Sequence, residues 1–364
     1  MAEKLKHLAF DLGPNEASGL ESFHNQRVLA DRNWDVAFWT VLDDVSVHEA
    51  IGVLGHRDGE PLDRGWEAER LPATLPEPQD ETGDAEAVSH HAGWIYIFGS
   101  HFGSKDGPLQ RKRQFVARFS EGEIVAAFTG SPIALQVRQT GLQDGLHRVI
   151  NDALREHDVD LCRPGPLVRQ AFCQTDDGTP ADMRPSQGDQ PINIEGADFL
   201  SDGAAFVGLR WPVAADGRPI VVVLQGMPEW VADGDPPQAS AVHLLDAIGD
   251  NGSLAGVRDL AIAGGRLHVV TGNIDSRDKR SHQITSALLK DHPEGADTVS
   301  THFRCELPPT DRDTESAAES VRAFPDLPRI EGIAVEFGQV FYVSDEDDGV
   351  DMRFTNFVIA SPDQ

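Results

Sequence analysis

The chain has little cysteine, little positive charge and no long apolar run. Its 364 residues include three cysteines, Cys162, Cys173 and Cys305, an odd number with no short paired spacing. This pattern argues against a disulfide framework and against a zinc site. Lysine and arginine total 31 against 60 acidic residues, which gives a net charge of −29. Nucleic acid and anionic membranes are therefore excluded as expected partners, because both bind basic surfaces.

The apolar runs are all shorter than the roughly 20 residues that a membrane-spanning helix needs. Residues 1–7 lead into no apolar stretch of signal-peptide length. We therefore expect a cytoplasmic protein without a membrane partner.

What the chain does contain is one short acidic phrase that recurs five times. An acidic residue is followed by a small or apolar residue, more apolar residues, a turn and a β-rich run. The five acidic residues are Glu21, Glu86, Glu195, Asp259 and Glu331. Their separations are 65, 109, 64 and 72 residues, and 54 residues close the circle through the termini. Such self-similarity predicts a repeat architecture.

Short apolar runs bounded by turn residues follow each acidic residue, which is the pattern of strands and hairpins. In the first unit these runs are residues 27–30 and 36–41, and in the second they are 94–98, 114–119 and 123–128. Four strands per unit predict an all-β chain folded as a β-propeller. We expect one domain over residues 1–364, with five blades near 15–55, 84–130, 192–247, 256–307 and 328–364.

Two irregularities refine this prediction. The last unit has room for three strands, and the apolar run at 5–12 has no unit before it, so an N-terminal strand is expected to complete the last blade and cover its edge. The 109-residue gap contains helical spacing within 142–157 and a loop-like stretch at 174–191. We interpret residues 131–191 as an insertion with a helix near 136–160; six blades are the alternative.

Several segments, taken together and in order, resemble a known family. These are Asn193–Ala197 with Val207–Pro212, Gly256–Ala261, Glu331–Ala334 with Ser344 and Asp345, and Gly99–His101 upstream. They resemble the bacterial domain-of-unknown-function family 3616, which is similar to phytase-like and esterase-like propellers. The resemblance covers roughly residues 15–350 and implies a propeller without an established activity. The residue after the acid, often Gly in that family, is Ser22, Ala87 or Leu260 in three units.

If the five carboxylates open the innermost strands, radial repetition brings them to one end of the channel. Like charges at close range raise each other's pKa unless a cation compensates. Calcium, which accepts several oxygen ligands with loose geometry, suits such a ring better than magnesium. The resemblance to phytase-like proteins implies calcium as well. The alternative is structural, with each carboxylate accepting backbone N–H groups of the next blade.

Residues that follow the second strand of each unit should gather on one face. Among them, His101 is a candidate general acid or base, with a hydrogen-bonded turn histidine as the alternative. Arg210 could hold an anionic group or pair with a ring acid. Further candidate ligand-binding residues on this face are Asn33, Asn273 and Asp345.

The sequence leaves two functions open. One is a propeller that binds a small molecule or a protein partner at the channel face, with a divalent cation. The other is a metal-dependent hydrolase of an ester, lactone or phosphoester. Glycoside hydrolysis is a minor alternative, because it needs two acids in unlike environments and repeat-equivalent acids predict similar ones. No Lys/Arg cluster suited to a multiply phosphorylated substrate is visible.

Overall fold

The computed structural model describes residues 6–12, 16–43, 45–76, 81–175, 178–249, 254–277, 281–326, 329–346 and 349–354. Within these residues the chain is mostly β, with sheets of four or five strands built from consecutive segments. The apolar runs that alternate with Gly and Asp turns therefore form the expected strands.

Two sheets come from the first part of the chain. Strand β1 is Lys6–Phe10 and belongs to a sheet described below. The first sheet is β2 (Ala17–Ser22), β3 (Trp34–Leu42), β4 (Ile51–Arg57) and β5 (Trp66–Arg70). A two-stranded parallel pair joins β6 (Ala73–Thr74) to β10 (Ile133–Ala134). The second sheet is β7 (Ala85–His91), β8 (Trp94–Gly99), β9 (Phe115–Ser120) and β11 (Gln136–Gln139).

Three more sheets follow. The third is β12 (Asn193–Phe199), β13 (Ala205–Trp211), β14 (Ile220–Gln225) and β15 (Gln238–Asp246), with β19 (Thr314–Ala317) added in parallel at its edge. The fourth is β16 (Gly256–Ala263), β17 (Arg266–Gly272), β18 (Thr301–Glu306) and β20 (Glu319–Ala323). The fifth is β21 (Ile330–Glu336), β22 (Gln339–Glu346) and β23 (Gly349–Phe354), completed by β1.

The N-terminal strand joins the last sheet as the sequence predicts. β1 runs antiparallel to β23, with Lys6 opposite Phe354 and Phe10 opposite Val350. The edge of β23 is thereby paired, which removes an exposed row of backbone donors and acceptors.

The first strands of the five sheets lie against one another. β2 contacts β7, β7 contacts β12, β12 contacts β16, β16 contacts β21, and β21 contacts β2. This approach is close: a Cβ atom added to Gly196 on β12 would lie 2.9 Å from Asp259 Cα on β16. Glycine is therefore needed at position 196, where β12 meets β16.

The apolar core lies between the faces of neighbouring sheets. Trp39 and Phe119 pack at 5.2 Å between ring centroids across the first and second sheets, and Tyr96 and Phe199 pack at 4.7 Å across the second and third. Phe38 and Phe341 pack at 4.7 Å across the first and fifth. Inner strands such as β8, β13 and β14 thus bury residues on both faces, so they read as nearly continuous apolar runs.

Two segments that the sequence predicts as strands are helical. Residues 27–30 belong to helix α1 (Gln26–Arg32), where Asn25 Oδ1 accepts a hydrogen bond from Val28 N at 3.2 Å and Asn33 ends the helix in the left-handed conformation. Residues 123–128 contain helix α2 (Ile124–Ala127). The side chain of Asn25 caps the start of α1 and the left-handed Asn33 ends it, so the first segment folds as a helix despite its apolar content.

The remaining helices are α3 (Leu146–Glu156), α4 (Pro166–Phe172), α5 (Met227–Val231) and α6 (Ala287–Asp291). α3 lies where the sequence predicts a helical insertion. Between Gln139 and Asn193 the described residues contain helices and no strand longer than a single bridge at Leu161. No helix in the described ranges is long and apolar enough to cross a membrane.

Candidate functional site

A cavity of about 330 Å³ lies where the first strands of the five sheets begin. Most of its lining is polar, with seven acidic and five basic residues. The lining consists of Glu16, Ala17, Ser18, Asp43, Asp84, Glu86, Phe102, Gly103, Ser104, Lys105, Arg113, Asn193, Glu195, Arg210, Arg258, Asp275, Ser276, Arg329 and Glu331. All five sheets contribute, which is why side chains far apart in sequence meet here.

A β-bulge near the start of each first strand decides which side chain reaches the cavity. The pairing skips one residue in each strand, and the skipped residues are Gly19, Glu86, Glu195, Arg258 and Glu331. A bulged residue has no partner on the neighbouring strand, so its side chain can be aimed away from the ladder. The equivalent positions thus hold three glutamates, one arginine and one glycine. The prediction of five equivalent carboxylates is wrong for Glu21 and Asp259.

Arg258 is the residue that the sequence analysis missed. Its guanidinium is 3% exposed and forms ion pairs with Glu195, at 3.1 Å from Nη1 to Oε2, and with Glu331. Burial, and then the charge of Arg210, lowers the pKa of Arg258 to about 10, so the group is still a cation at neutral pH. A positive charge belonging to the chain therefore lies between two of the predicted metal ligands.

The sequence does carry a signal for Arg258. An aliphatic residue precedes the bulged residue in three strands, as Ile194 before Glu195, Ile330 before Glu331 and Val257 before Arg258. Aligning on that aliphatic residue, rather than on the nearest acid, would have placed Arg258 in the ring.

Arg210 pairs with Glu195, one of the two roles that the sequence allows. Its Nη1 lies 2.7 Å from Glu195 Oε1, and its other donors bond Asn273 O and Oδ1 at 3.1 Å and Ser276 Oγ at 3.2 Å. Because this guanidinium uses all three of its nitrogens, its direction is fixed. Asn273 holds Arg210 in place and is not part of the cavity lining.

Glu86 has a different environment from Glu195. In the described part of the chain Glu86 has no hydrogen-bond or ion-pair partner, and its side chain is partly exposed to the cavity. Burial, followed by the negative charges of Glu195, Asp84 and Asp43, raises the pKa of Glu86 well above its usual value, and Arg258 offsets this only in part. Glu86 therefore favours its protonated form more than an ordinary glutamate does.

Asp259 has a structural environment away from the cavity lining. Its Oδ1 accepts a hydrogen bond from Leu260 N at 2.8 Å, and its Oδ2 accepts from Ile333 N on β21 at 2.8 Å and from Leu20 N on β2 at 3.3 Å. This carboxylate therefore connects three first strands, which is the alternative that the sequence analysis left open.

Two further acids connect first strands in the same way. Asp198 on β12 accepts from Ile262 N on β16 at 2.6 Å and from Ser89 Oγ on β7 at 3.2 Å. Glu21 on β2 accepts from the backbone N–H of His90 on β7, and His24 Nε2 lies 3.6 Å from its carboxylate. Buried backbone donors at strand junctions require such acceptors. The recurring phrase did not indicate Asp198. The acid of that phrase, Glu195, lies near the start of β12, whereas Asp198 lies near its end.

The other predicted site residues do not gather at the cavity. His101 is fully buried, and its Nδ1 donates to Gly99 O at 2.8 Å; burial lowers the pKa of His101 to about 4. Asn33 ends helix α1 and lies outside the lining. The side chain of Asp345 lies outside the described part of the structure.

The predicted calcium ring fits these residues poorly. Glu195 and Glu331 already pair with Arg258, while Asp259 and Glu21 accept backbone N–H groups elsewhere. The described residues contain no group of three or more His, Cys, Asp or Glu side chains arranged for a metal ion. A divalent ion at this point would face a fixed guanidinium, which disfavours binding by electrostatic repulsion.

Comparisons with known proteins show a fold-level likeness only. No family model and no curated protein matches the chain, so the resemblance to family 3616 stays a prediction. Among solved structures, the chain is similar to a GH43 endo-arabinanase from Bacillus licheniformis, with 13% identity, a TM-score of 0.44 and 96% of each chain covered. An exo-1,5-α-L-arabinanase from a bovine ruminal metagenomic library matches with 11% identity, a TM-score of 0.38, and 95% of this chain and 94% of that chain covered. Glutaminyl cyclase from Myxococcus xanthus matches with 10% identity, a TM-score of 0.37, and 96% and 93% covered.

Proposed function

We propose that the chain is a five-bladed β-propeller that binds a small polar molecule in the cavity at one end of its axis. Five four-stranded or five-stranded sheets whose first strands contact one another in cyclic order support the blade count. The lack of a further sheet between β11 and β12 in the described residues favours five blades over six.

The observation that carries the binding function is the cavity itself. Its volume of about 330 Å³ falls at the lower end of the range typical of small-molecule sites, and side chains from all five sheets converge on it. Strands hold Glu86, Glu195, Arg210, Arg258 and Glu331 at its centre, which suits recognition of one defined small ligand better than that of a flat protein surface.

Closing the mouth of the cavity tests this function. Ser104 is an exposed lining residue, so Ser104→Trp should obstruct the cavity without disturbing the core. Compounds that raise the melting temperature of the wild type, drawn from polyols, carboxylates, amines and amino acids, should lose that effect in Ser104→Trp. Ser131→Trp, at an exposed position outside the lining, is the matched control. Binding that survives in Ser104→Trp, or a complete absence of binding by every class, would refute the proposal.

Hydrolysis is a second candidate, favoured by the unlike environments of Glu86 and Glu195. A carboxyl with a raised pKa and an ion-paired carboxylate line the same cavity, and acid-catalysed cleavage of glycosidic bonds uses two carboxyl groups in such unlike environments. Chromogenic glycosides, esters, lactones and phosphoesters are the substrates to test. If turnover is found, Glu86→Gln should lower kcat about 100-fold or more, because the proton donor is lost. An unchanged kcat in that variant would remove Glu86 from the reaction.

A further inference from the structure

The charges of the cavity are divided between two sides. The first and second sheets and their flanking segments contribute Glu16, Asp43, Asp84 and Glu86 together with the cations Lys105 and Arg113, whereas the third, fourth and fifth contribute Arg210, Arg258 and Arg329 together with the acids Glu195, Asp275 and Glu331. On the second side, carboxylates of the chain itself balance the charges of the arginines: Arg258 pairs with Glu195 and Glu331, and Arg210 pairs with Glu195. Four acidic and two basic residues line the first side, against three of each on the second, so the excess of negative charge lies on the first, acidic side.

Glu86 is the acidic group with unused bonding capacity. On the acidic side Asp84 pairs with Arg113 at 2.8 Å, whereas Glu86 has neither an ion pair nor a hydrogen bond in the described residues. The equivalent bulged position on the adjacent strand β2 is Gly19, so no side chain from that position covers Glu86. Both sides of the cavity are lined by charged groups, and the acidic residues outnumber the basic ones.

Two nearly buried lining residues also carry polar atoms with neither a hydrogen bond nor an ion pair. Arg258, 3% exposed, has no hydrogen-bond acceptor for Nε, and Asn193, 7% exposed, has no donor for Oδ1. Buried polar atoms are almost always satisfied, so unsatisfied ones at a cavity indicate a missing partner. A ligand that satisfies both atoms must present an acceptor to Arg258 Nε and a donor to Asn193 Oδ1.

We propose that the cavity binds a small amino alcohol, whose primary ammonium group pairs with Glu86 and whose hydroxyl oxygen accepts a hydrogen bond from Arg258. This inference rests on the proposed small-molecule function and names its ligand class. The ammonium group offers three donors, enough to reach Glu86 and Asn193 together. It also adds a positive charge on the side where acidic lining residues outnumber basic ones.

Binding should release a proton. The groups that act on Glu86 are Glu195, Asp84 and Asp43, which favour its protonated form, and Arg258, which opposes it. An incoming ammonium group stabilises the carboxylate, so the proton passes from Glu86 to the buffer. Affinity for an amine that stays protonated throughout, such as ethanolamine, should therefore increase as the pH rises from about 6 to about 8, and the heat of binding should depend on the ionisation enthalpy of the buffer.

Matched compounds make the test specific to the ammonium group. Ethanolamine and glucosamine are the cations, ethylene glycol and glucose their neutral counterparts, and glycolate and gluconate the anions, with calcium chloride added as a metal control. Calorimetry on the whole chain should detect the two cations, with affinities at least about tenfold above those of their neutral counterparts. Glu86→Gln should lose this preference and the proton release, while Glu123→Gln, at an exposed site outside the cavity, should keep both.

The outcomes distinguish a failure of the amino-alcohol proposal from a failure of the small-molecule function on which it rests. Neutral or anionic compounds that bind as well as the amines would overturn the ammonium assignment and leave the small-molecule function standing. Calcium binding that disappears in Glu86→Gln would assign the site to a metal instead. If no compound of any class binds, both proposals fail. Should Glu86→Gln not fold, the buffer dependence of the wild type decides, because a constant heat across buffers contradicts proton release.

Discussion

Replacing Arg258 by methionine should cost about 3–5 kcal/mol of unfolding free energy, the usual loss when one partner of a buried ion pair is removed. Methionine keeps the apolar first part of the side chain but leaves Glu331 without its cation and Glu195 with Arg210 alone. Glu195 is 2% exposed and Glu331 is 5% exposed, so water can compensate for little of that charge. Urea unfolding followed by circular dichroism measures the loss.

The pH dependence identifies the cause of this loss. Protonation of Glu331 removes the uncompensated charge, so the deficit of Arg258→Met should shrink as the pH falls from about 8 to about 5. Adding Glu331→Gln to the variant should recover part of the stability at neutral pH, because Glu195 keeps its ion pair with Arg210. Arg64→Met, which removes an exposed partner of Glu60, should change stability by less than about 0.5 kcal/mol. A loss below about 1 kcal/mol for Arg258→Met would show that the ion pairs are not needed.

Arg258 also changes the meaning of the acidic repeat. A ring of carboxylates without a cation requires an external ion, and that reasoning led from the sequence to calcium. The chain instead carries a guanidinium at one of the five equivalent positions, and a side-chain cation needs no ion from solution. The same residue leaves Glu86 as the carboxylate with unused capacity in the described residues.

The sequence predicts the sheets well because a strand that is buried on both faces must be apolar almost throughout. Residues 94–98 and 205–209 are such runs, and both are second strands of their sheets. The register within the first strands could not be predicted in the same way. A bulge adds one residue to one strand, and the backbone pairing, not the type of residue, decides which side chain turns toward the axis. The acid of the repeat was therefore assigned correctly in three units and displaced in two.

The first unit shows a second limit of the sequence. Apolar residues 27–30 satisfy the strand pattern over a short window, but two asparagines decide the outcome. Asn25 caps the first turn and Asn33 adopts φ of 55°, and together they close a seven-residue helix. This error displaced Asn33 from the end of the second strand to its beginning, so its predicted place at the ligand face was lost as well.

Replacing Asp259 by alanine should also destabilise the fold by about 3–5 kcal/mol, for a different reason. Three backbone N–H groups, on Leu260, Ile333 and Leu20, would lose their acceptor in a buried place, and each unsatisfied donor costs about 1–3 kcal/mol. Asp259→Asn keeps one acceptor oxygen and should lose roughly half as much. Asp246→Ala, at the exposed end of β15, is the control and should leave the unfolding free energy nearly unchanged.

The two large effects should respond to pH in opposite directions. Burial raises the pKa of Asp259 well above its usual value, and the backbone hydrogen bonds offset this only in part. The folded wild type therefore binds a proton more tightly at this position than the unfolded chain does, and this contribution to stability grows as the pH falls through the raised pKa. Asp259→Ala lacks the contribution, so its deficit should widen between about pH 8 and pH 5 while that of Arg258→Met narrows. If the stability deficits of both variants changed in the same direction with pH, the distinction drawn between the ion-paired carboxylates of the cavity and the carboxylates that connect the first strands would be contradicted.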